Sequence, residues 1–394
     1  MSHGIPRSTT TSHDNKSEAA KAKERKQIEN YKALEKDVTE RIQAQDFTNP
    51  TFQLTSTLLA QNPEYYTIWN HRRLLLQHVF AQELASNNGP PSNTTSQEPA
   101  HDASTTTTTT PPSNTQKKDT TLSPAQREIS LLINEDLTFL LPLLKQYPKC
   151  YWIWNHRSWL LSRTSRHLPA SASLTFWQAE LSLIGKMLAL DSRNFHGWGY
   201  RRIVVQEIER LSSRGEEEGG GSMVEAEFEY TTKMIHTNLS NFSAWHYRGT
   251  LIPRLLSSRA ASSSARQDFF DDELALITQA LYTDPYDQSL WFYHQFLMST
   301  LDASNPQAGV ILDPVDDGVR RRYLEQELES VREMVEGAED CKYVYQALLE
   351  YARRLREVGG TVGREEMRGW LRELRGLDPL REGRWMDLEG KLGL

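Results

Sequence analysis

Apolar residues in this chain recur at helical spacing, and no stretch alternates with the period of two that a half-buried strand requires. Leu137, Leu140, Leu141 and Leu144 fall at steps of three, one and three, which line one face of a helix. Tyr31, Leu34, Val38 and Ile42 do the same inside a charged N-terminal stretch, predicting an amphipathic helix there. A further apolar helical run follows each of several tryptophans, as in Trp69, Leu76 and Phe80. The pattern predicts helices in pairs joined by short polar turns. Pro142 conflicts with this locally, because a mid-helix proline costs about 3 kcal/mol unless the helix kinks or begins there.

Two regions break the pattern. From Ala85 to Thr121 there is no Val, Ile, Leu, Met, Phe, Trp, Tyr or Cys, and the stretch carries six consecutive Thr and two Pro-Pro pairs. Such a segment cannot bury enough surface to offset its ordering entropy, so 85–123 is expected to be a disordered insertion. Residues 1–16 are expected to be disordered as well. The expected organisation is then an N-terminal helix with a first repeat over 17–84, and the remaining repeats over 124–394 continuing one solenoid. The Gly- and Ser-rich stretches 211–222 and 257–266 are expected as loops between helices.

The tryptophans set the repeat. Five segments align on Trp69, Trp154, Trp198, Trp245 and Trp291, at intervals of 85, 44, 47 and 46 residues. Removing the insertion brings the first interval into line with the others. Seven residues before each Trp stands Asn62, Tyr147, Asp191, Asn238 or Asp284, followed in three copies by Pro63, Pro148 or Pro285. Three before it stand Tyr66, Tyr151, Phe195 and Phe242, and three after it Arg72, Arg157, Arg201 and Arg248; in the fifth copy these positions are Gln288 and His294. Asp378, Pro379 and Trp385 mark a further copy, and Tyr343 is expected in the Trp place of a degenerate one, at intervals of 52 and 42. A repeat near 45 residues with two helices per unit is an all-α solenoid of helical hairpins. The Trp and its preceding aromatic are expected to pack adjacent hairpins together, and the Arg to meet a carboxylate or helix-end carbonyls. Repetition in every unit suits architecture, so chemistry is expected where copies differ.

Composition narrows the function classes. Formal net charge is −7 over 394 residues, which disfavours a general nucleic-acid surface. Cys150 and Cys341, nearly 200 residues apart, form neither a disulfide framework nor a CxxC metal site. No run of 18 apolar residues offers a membrane span, and the first residues lack a signal peptide's apolar core. The expectation is a cytoplasmic protein without membrane insertion, nucleic-acid partner or metal of its own.

The repeated Pro-x-x-(Tyr/Phe)-x-x-Trp-x-x-Arg unit resembles the repeats of protein prenyltransferase α subunits, over roughly Gln53 to Leu394 apart from the insertion. The charged N-terminal helix running into LTSTLLAQNPEYYTIWNHRR is similar to the type II, or Rab, geranylgeranyltransferase branch in its compact fungal form. The resemblance implies an α-α superhelix, a right-handed solenoid of helical hairpins around a β subunit that holds zinc and most of the lipid pocket. It also implies Rab GTPases, a Rab escort protein and geranylgeranyl diphosphate as partners.

The resemblance places Lys149, five residues before its Trp, at the diphosphate, where the other copies have Glu64, Arg193, Ser240 and Tyr286. Tyr151 matches a tyrosine lining the same region. Asn194, His196 and Arg201 are expected at the α/β active-site edge, where Phe195 replaces the tyrosine of farnesyl-type enzymes. Two other readings stand beside this one: the α subunit shared by farnesyltransferase and type I geranylgeranyltransferase, and a free-standing solenoid scaffold without catalysis.

Overall fold

The computed structural model describes residues 17–86, 122–213, 222–302 and 304–394. Among them are fifteen α-helices, one short 3-10 turn and no strand. Helix α1 (Glu18–Gln43) leads into seven pairs. These are α2 (Asn49–Gln61) with α3 (Tyr66–Ser86), α4 (Pro124–Gln146) with α5 (Tyr151–His167), and α6 (Ala170–Leu190) with α7 (Phe195–Ser212). They continue as α8 (Val224–Thr237) with α9 (Phe242–Ser258), and α10 (Ser263–Thr283) with α11 (Gln288–Ser299). The last are α12 (Asp317–Glu333) with α13 (Lys342–Glu357), and α14 (Arg364–Leu377) with α15 (Glu382–Leu392). The pairs are the hairpins of an α-α solenoid. The chain forms two compact units that divide inside α6, between Leu183 and Ile184, and each is described by itself.

In the first unit, Ser17 caps α1 by accepting from the Ala20 amide at 3.2 Å. Val38 is the buried residue of α1, with Tyr31, Leu34 and Ile42 half-buried on the same face. Tyr31 accepts from Asn62 Nδ2 at 2.9 Å, and Tyr65 donates to Glu35 at 2.9 Å, tying α1 to the turn before α3. Helix α4 starts with a reciprocal capping box between Ser123 and Gln126. It runs through Pro142, which is exposed, as is Thr138 one turn earlier. The carbonyl that loses its helical partner to the proline therefore lies on the solvent side, where water satisfies it. Pro142 neither starts nor ends the helix.

In the second unit, α7 packs closely on the end of α6. A Cβ added at Gly197 would stand 3.0 Å from Leu188 Cδ2 and 3.3 Å from Ile184 Cδ1, so any larger residue would have to push these side chains back.

The expected loops need correction at their edges. Ala85 and Ser86 close α3, and Ser123 caps α4, so the insertion is shorter than 85–123 at both ends. Leu211 and Ser212 close α7, and Ser263 to Arg266 form the first turn of α10, capped by Ser262. Residues 1–16, 87–121 and 214–221 lie outside the described residues, and the expectations made for them with it.

The six aligned tryptophans are buried, none above 4% exposed. The aromatics three residues earlier are not: Tyr66, Tyr151, Phe195 and Phe242 are 51, 53, 68 and 49% exposed. Each is the first residue of its helix, so its ring stands at the end of the hairpin and not in its middle. Tyr66 and Phe242 still reach the next hairpin, meeting Trp152 at 5.3 Å and Phe292 at 5.9 Å, but the buried share of the packing belongs to the tryptophan.

What requires tryptophan and not another large apolar residue is its N–H. Nε1 of Trp69, Trp154, Trp198, Trp245 and Trp291 donates to the carbonyl six residues earlier at 2.7–2.8 Å, fastening the turn to the helix that follows. The same bond corrects the register of the degenerate copy. Tyr345 donates its hydroxyl to Glu339 O, six residues back, and is 5% exposed, whereas Tyr343 is half-buried. Tyr345 holds the Trp place, giving intervals of 54 and 40 from Trp291 and to Trp385.

Candidate functional site

The arginine three residues past each Trp points into the hairpin core and meets a carboxylate on the next helix. Arg157 forks onto Glu180 at 2.7 and 2.7 Å, Arg201 onto Glu227 at 2.8 and 2.5 Å, and Arg248 onto Glu273 at 2.8 and 2.5 Å. In the fifth copy His294 takes the position and meets Glu327 at 2.8 Å, with its other nitrogen 2.6 Å from Tyr351. All these side chains are buried, so each guanidinium neutralises a carboxylate that would otherwise be stranded, and the imidazole gives Glu327 a hydrogen-bond partner. The acidic partners fall 23, 26, 25 and 33 residues after the Arg or His. That spacing was the available signal for them.

The first copy differs. Arg72 places Nε and Nη2 on the single oxygen Oδ1 of Asp136, at 2.9 and 2.6 Å, and its Nη1 on Thr55 Oγ1 and Ser56 Oγ at 2.7 and 2.8 Å. The second oxygen of Asp136 is 2.8 Å from His156 Nε2, and Arg73 Nε reaches His156 Nδ1 at 3.3 Å. Since an arginine only donates, Nδ1 must accept, and Nε2 carries the proton given to Asp136. Burial pushes the Asp136 carboxyl up, but the charge of Arg72 and the bond from His156 outweigh it and hold its pKa down to about 2. Burial lowers the His156 pKa against the pull of Asp136. A neutral imidazole beside a carboxylate is the consistent state.

The expected site residues fall in both units. In the first, Lys149 and Tyr151 flank Cys150, the N-cap residue of α5. Lys149 is exposed, and the half-exposed Tyr151 ring meets Trp152 edge-on at 5.3 Å. A cationic chain and a phenol at the start of a helix make a surface suited to an anion.

In the second unit, Asn194 caps α7 by accepting from the Gly197 amide at 3.2 Å, and it is buried. Half-buried His196 stacks at a tilt on exposed Phe195, 4.0 Å between centroids. Arg201 is buried, with its fork on Glu227 and its guanidinium 3.5 Å from the Tyr230 ring centre. These donors serve the same pair that Arg157 and Arg248 make. The geometry of Arg201 is that of the repeat's architecture and not of a ligand contact.

Both thiols have structural partners. Cys150 Sγ donates to Pro63 O at 3.4 Å and Cys341 Sγ to Pro285 O at 3.1 Å, the same carbonyls that accept Trp69 and Trp291. Asn241 Nδ2 joins Trp198 on Ser192 O in the same way, at 2.8 Å. Cys150, Asn241 and Cys341 thus occupy one repeat position, the start of the second helix, and bond to the turn of the preceding hairpin. Burial pushes the Cys150 thiol up to about 11, opposite to what a nucleophile or metal ligand needs. Among the described residues no three His, Cys, Asp or Glu group to hold a metal, and no helix is long and apolar enough to cross a membrane.

The model of the protein prenyltransferase alpha subunit repeat matches residues 51–79, 133–164, 177–208, 224–255 and 270–301, the first five hairpins. The unmatched α12–α13 pair is the one where Tyr345 replaces Trp and Leu348 replaces Arg. The geranylgeranyl transferase type-2 subunit alpha of Saccharomyces cerevisiae is 33% identical over 291 residues, covering 74% of this chain and 70% of the relative. The subunit of the same name from Schizosaccharomyces pombe is 31% identical over 398 residues, 99% of this chain and 98% of its own. Among solved structures, a Candida albicans protein geranylgeranyltransferase-I complexed with GGPP superposes with a TM-score of 0.55 over 92% of this chain and 89% of that one. At 17% identity this is a likeness of fold.

Proposed function

The chain belongs to the protein prenyltransferase α-subunit family, in the branch of the geranylgeranyl transferase type-2 alpha subunits, and from that membership we propose that it acts as half of a heterodimer. Its β subunit and it together would transfer geranylgeranyl from geranylgeranyl diphosphate to C-terminal cysteines of Rab GTPases brought by a Rab escort protein. The carrying observation is the match along nearly the whole length of a type-2 subunit, including α1 and the irregular last hairpins.

In the reaction the cysteine sulfur attacks carbon 1 of the diphosphate ester, the C–O bond breaks, and diphosphate leaves with the bonding pair. Negative charge grows on the leaving group, and a preorganised cation lowers the barrier. Lys149 supplies that cation and Tyr151 a neighbouring hydroxyl. In the second unit Asn194 and His196 are assigned to the face turned towards the β subunit, while Arg201 holds α7 in place. Zinc is assigned to the β subunit: the donors here do not fit it, since Cys150 and Cys341 are buried, raised in pKa and engaged with carbonyls. No step on this chain runs through the metal.

The test is co-expression with candidate β subunits and mass measurement of a Rab protein after incubation with geranylgeranyl diphosphate and escort protein. Escort-dependent geranylgeranylation supports the reading. Robust turnover of a CaaX peptide without escort would assign the chain to the shared farnesyl and type I enzymes, and recovery of no β subunit would leave a scaffold.

A further inference from the structure

Three arginines of the first unit stand apart from every ion pair described above. Arg73 on α3 and Arg163 on α5 both lie over the Trp159 ring, with guanidinium carbons 5.7 and 5.3 Å from its centre. Arg166 follows Arg163 by three residues, on the same side of α5, and its charge bears on Arg163. The hydrogen bonds of Arg73 and Arg163 go to the neutral His156 and to Ser162. Among the described residues no carboxylate pairs with any of the three. Nη2 of Arg73 is buried with no acceptor at all. Burial and the charge of Arg163 pull Arg73 below the usual guanidinium value, and Arg163 is pulled down by burial and by Arg166. Elsewhere in this chain buried guanidiniums are matched to carboxylates as a rule, in four copies of the repeat. Two guanidiniums half-buried on one indole, with the exposed Arg166 beside them and no counter-ion, are destabilising for the chain alone and are kept where something else supplies the anion.

We propose that the Arg73, Arg163 and Arg166 face of α3 and α5 binds an acidic polypeptide segment of the β subunit through guanidinium–carboxylate pairs, with Trp159 as the apolar floor. The inference rests on the heterodimer reading and names the chemistry of part of that contact. A segment fits better than one compact anion. The row from Trp159 to Arg166 runs about 10 Å along α5 at 1.5 Å per residue, so carboxylates on successive residues can each find a planar fork. Charge complementarity points the same way. The chain carries a net −7, so an acidic segment is repelled by most of its surface and steered to this basic face.

The experiment uses the full-length chain and its β subunit, with the heterodimer dissociation constant measured at low and high salt. Arg163→Gln with Arg166→Gln is expected to weaken association ten- to hundred-fold at low salt and to flatten the salt dependence. The melting temperature of the α chain alone is expected to stay level or rise, because like-charge repulsion is relieved. A purely structural role would lower it. Arg254→Gln, whose guanidinium already pairs with Glu209 at 2.9 Å, is the control expected to change little. If the glutamine variant does not fold, Arg163→Lys with Arg166→Lys keeps charge and removes the forks, and an intermediate weakening is expected. Undiminished affinity in a folded variant overturns the proposal. So does unchanged affinity with a raised KM for geranylgeranyl diphosphate, which would assign the face to the diphosphate. Failure of the wild-type chain to bind any prenyltransferase β subunit sinks the heterodimer reading itself, and the proposal with it.

Discussion

The first and fourth copies of the repeat place the same arginine in the same position and obtain different things from it. Arg248 meets Glu273, whose two oxygens each take one guanidinium nitrogen. The pair closes on itself, with Tyr293 donating to the same carboxylate at 2.6 Å. Arg72 meets Asp136, one methylene shorter, and only one oxygen is taken. The other is left for His156, whose second nitrogen holds Arg73. The copies differ at three places, Asp136 for Glu273, His156 for Tyr293 and Arg73 for Gly249, and together these open a closed architectural pair into a chain of four groups that ends on an arginine without a counter-ion.

The largest effect expected on this contrast comes from removing the closed pair. Arg248→Met strands Glu273 in the core and is expected to cost about 3 to 5 kcal/mol, read as a fall in melting temperature. A loss under about 1 kcal/mol would show that the fork is decorative. Copy-specific chemistry should behave oppositely. Lys149→Ala is expected to leave the melting temperature level while lowering kcat of the heterodimer roughly ten- to a thousand-fold, with KM for Rab little changed. Wild-type kcat would remove Lys149 from the diphosphate.

Asp136→Glu tests what the shorter carboxylate contributes. The longer carboxylate can fork Arg72 but crowds His156, so a cost of about 1 to 3 kcal/mol from overpacking is expected, together with weaker β-subunit binding as Arg73 loses its support. Unchanged association would mean that Arg73 does not depend on the network.

Acid separates the two copies as well. The Asp136 carboxyl titrates at about 2 in the folded chain and at an ordinary 3.8 in the unfolded one. Its contribution, on the order of 2 kcal/mol, is present above pH 4 and lost as pH falls towards 2. His156 is depressed when folded, so the unfolded chain binds its proton first, and stability also falls as pH drops below the ordinary histidine value near 6.5. A denaturation series against pH should show this acid limb flattened in Asp136→Asn. A limb of unchanged steepness would assign it to other groups. The smallest effect is expected from Trp245→Phe. It keeps most of the buried ring and loses the bond to Leu239 O, for about 1 to 3 kcal/mol and towards the lower end where water can reach that carbonyl.

The hairpin fold was legible because Trp69, Trp154, Trp198, Trp245 and Trp291 repeat one residue at one spacing. The degenerate copy was misplaced by two residues because Tyr343 and Tyr345 are chemically alike, and only the bond to Glu339 O tells them apart. The aromatics before each Trp were expected to pack adjacent hairpins, and their exposure was not legible because hydrophobicity says nothing about whether a residue opens a helix or sits inside it. Serines 263 and 264 were read as loop from composition, but after Ser262 has capped the helix a serine in the first turn is no obstacle. Of the candidate site, the positions of Lys149 and Asn194 at helix starts followed from the repeat itself. The Arg73–Trp159–Arg163 cluster did not, because its members come from two helices, separated in sequence by the insertion, and belong to no shared motif.

The doubly used turn carbonyls carry one more consequence, for how the molecule is made. Pro63 O, Ser192 O and Pro285 O each receive one donor from their own hairpin and one from the hairpin that follows. A hairpin leaving the ribosome can fasten its own tryptophan at once, but its turn is completed only when the next one emerges. At these three turns completion therefore waits on the hairpin that follows. The copy of Trp385 closes differently: its indole reaches back seven residues to Asp378 O across the added 3-10 turn.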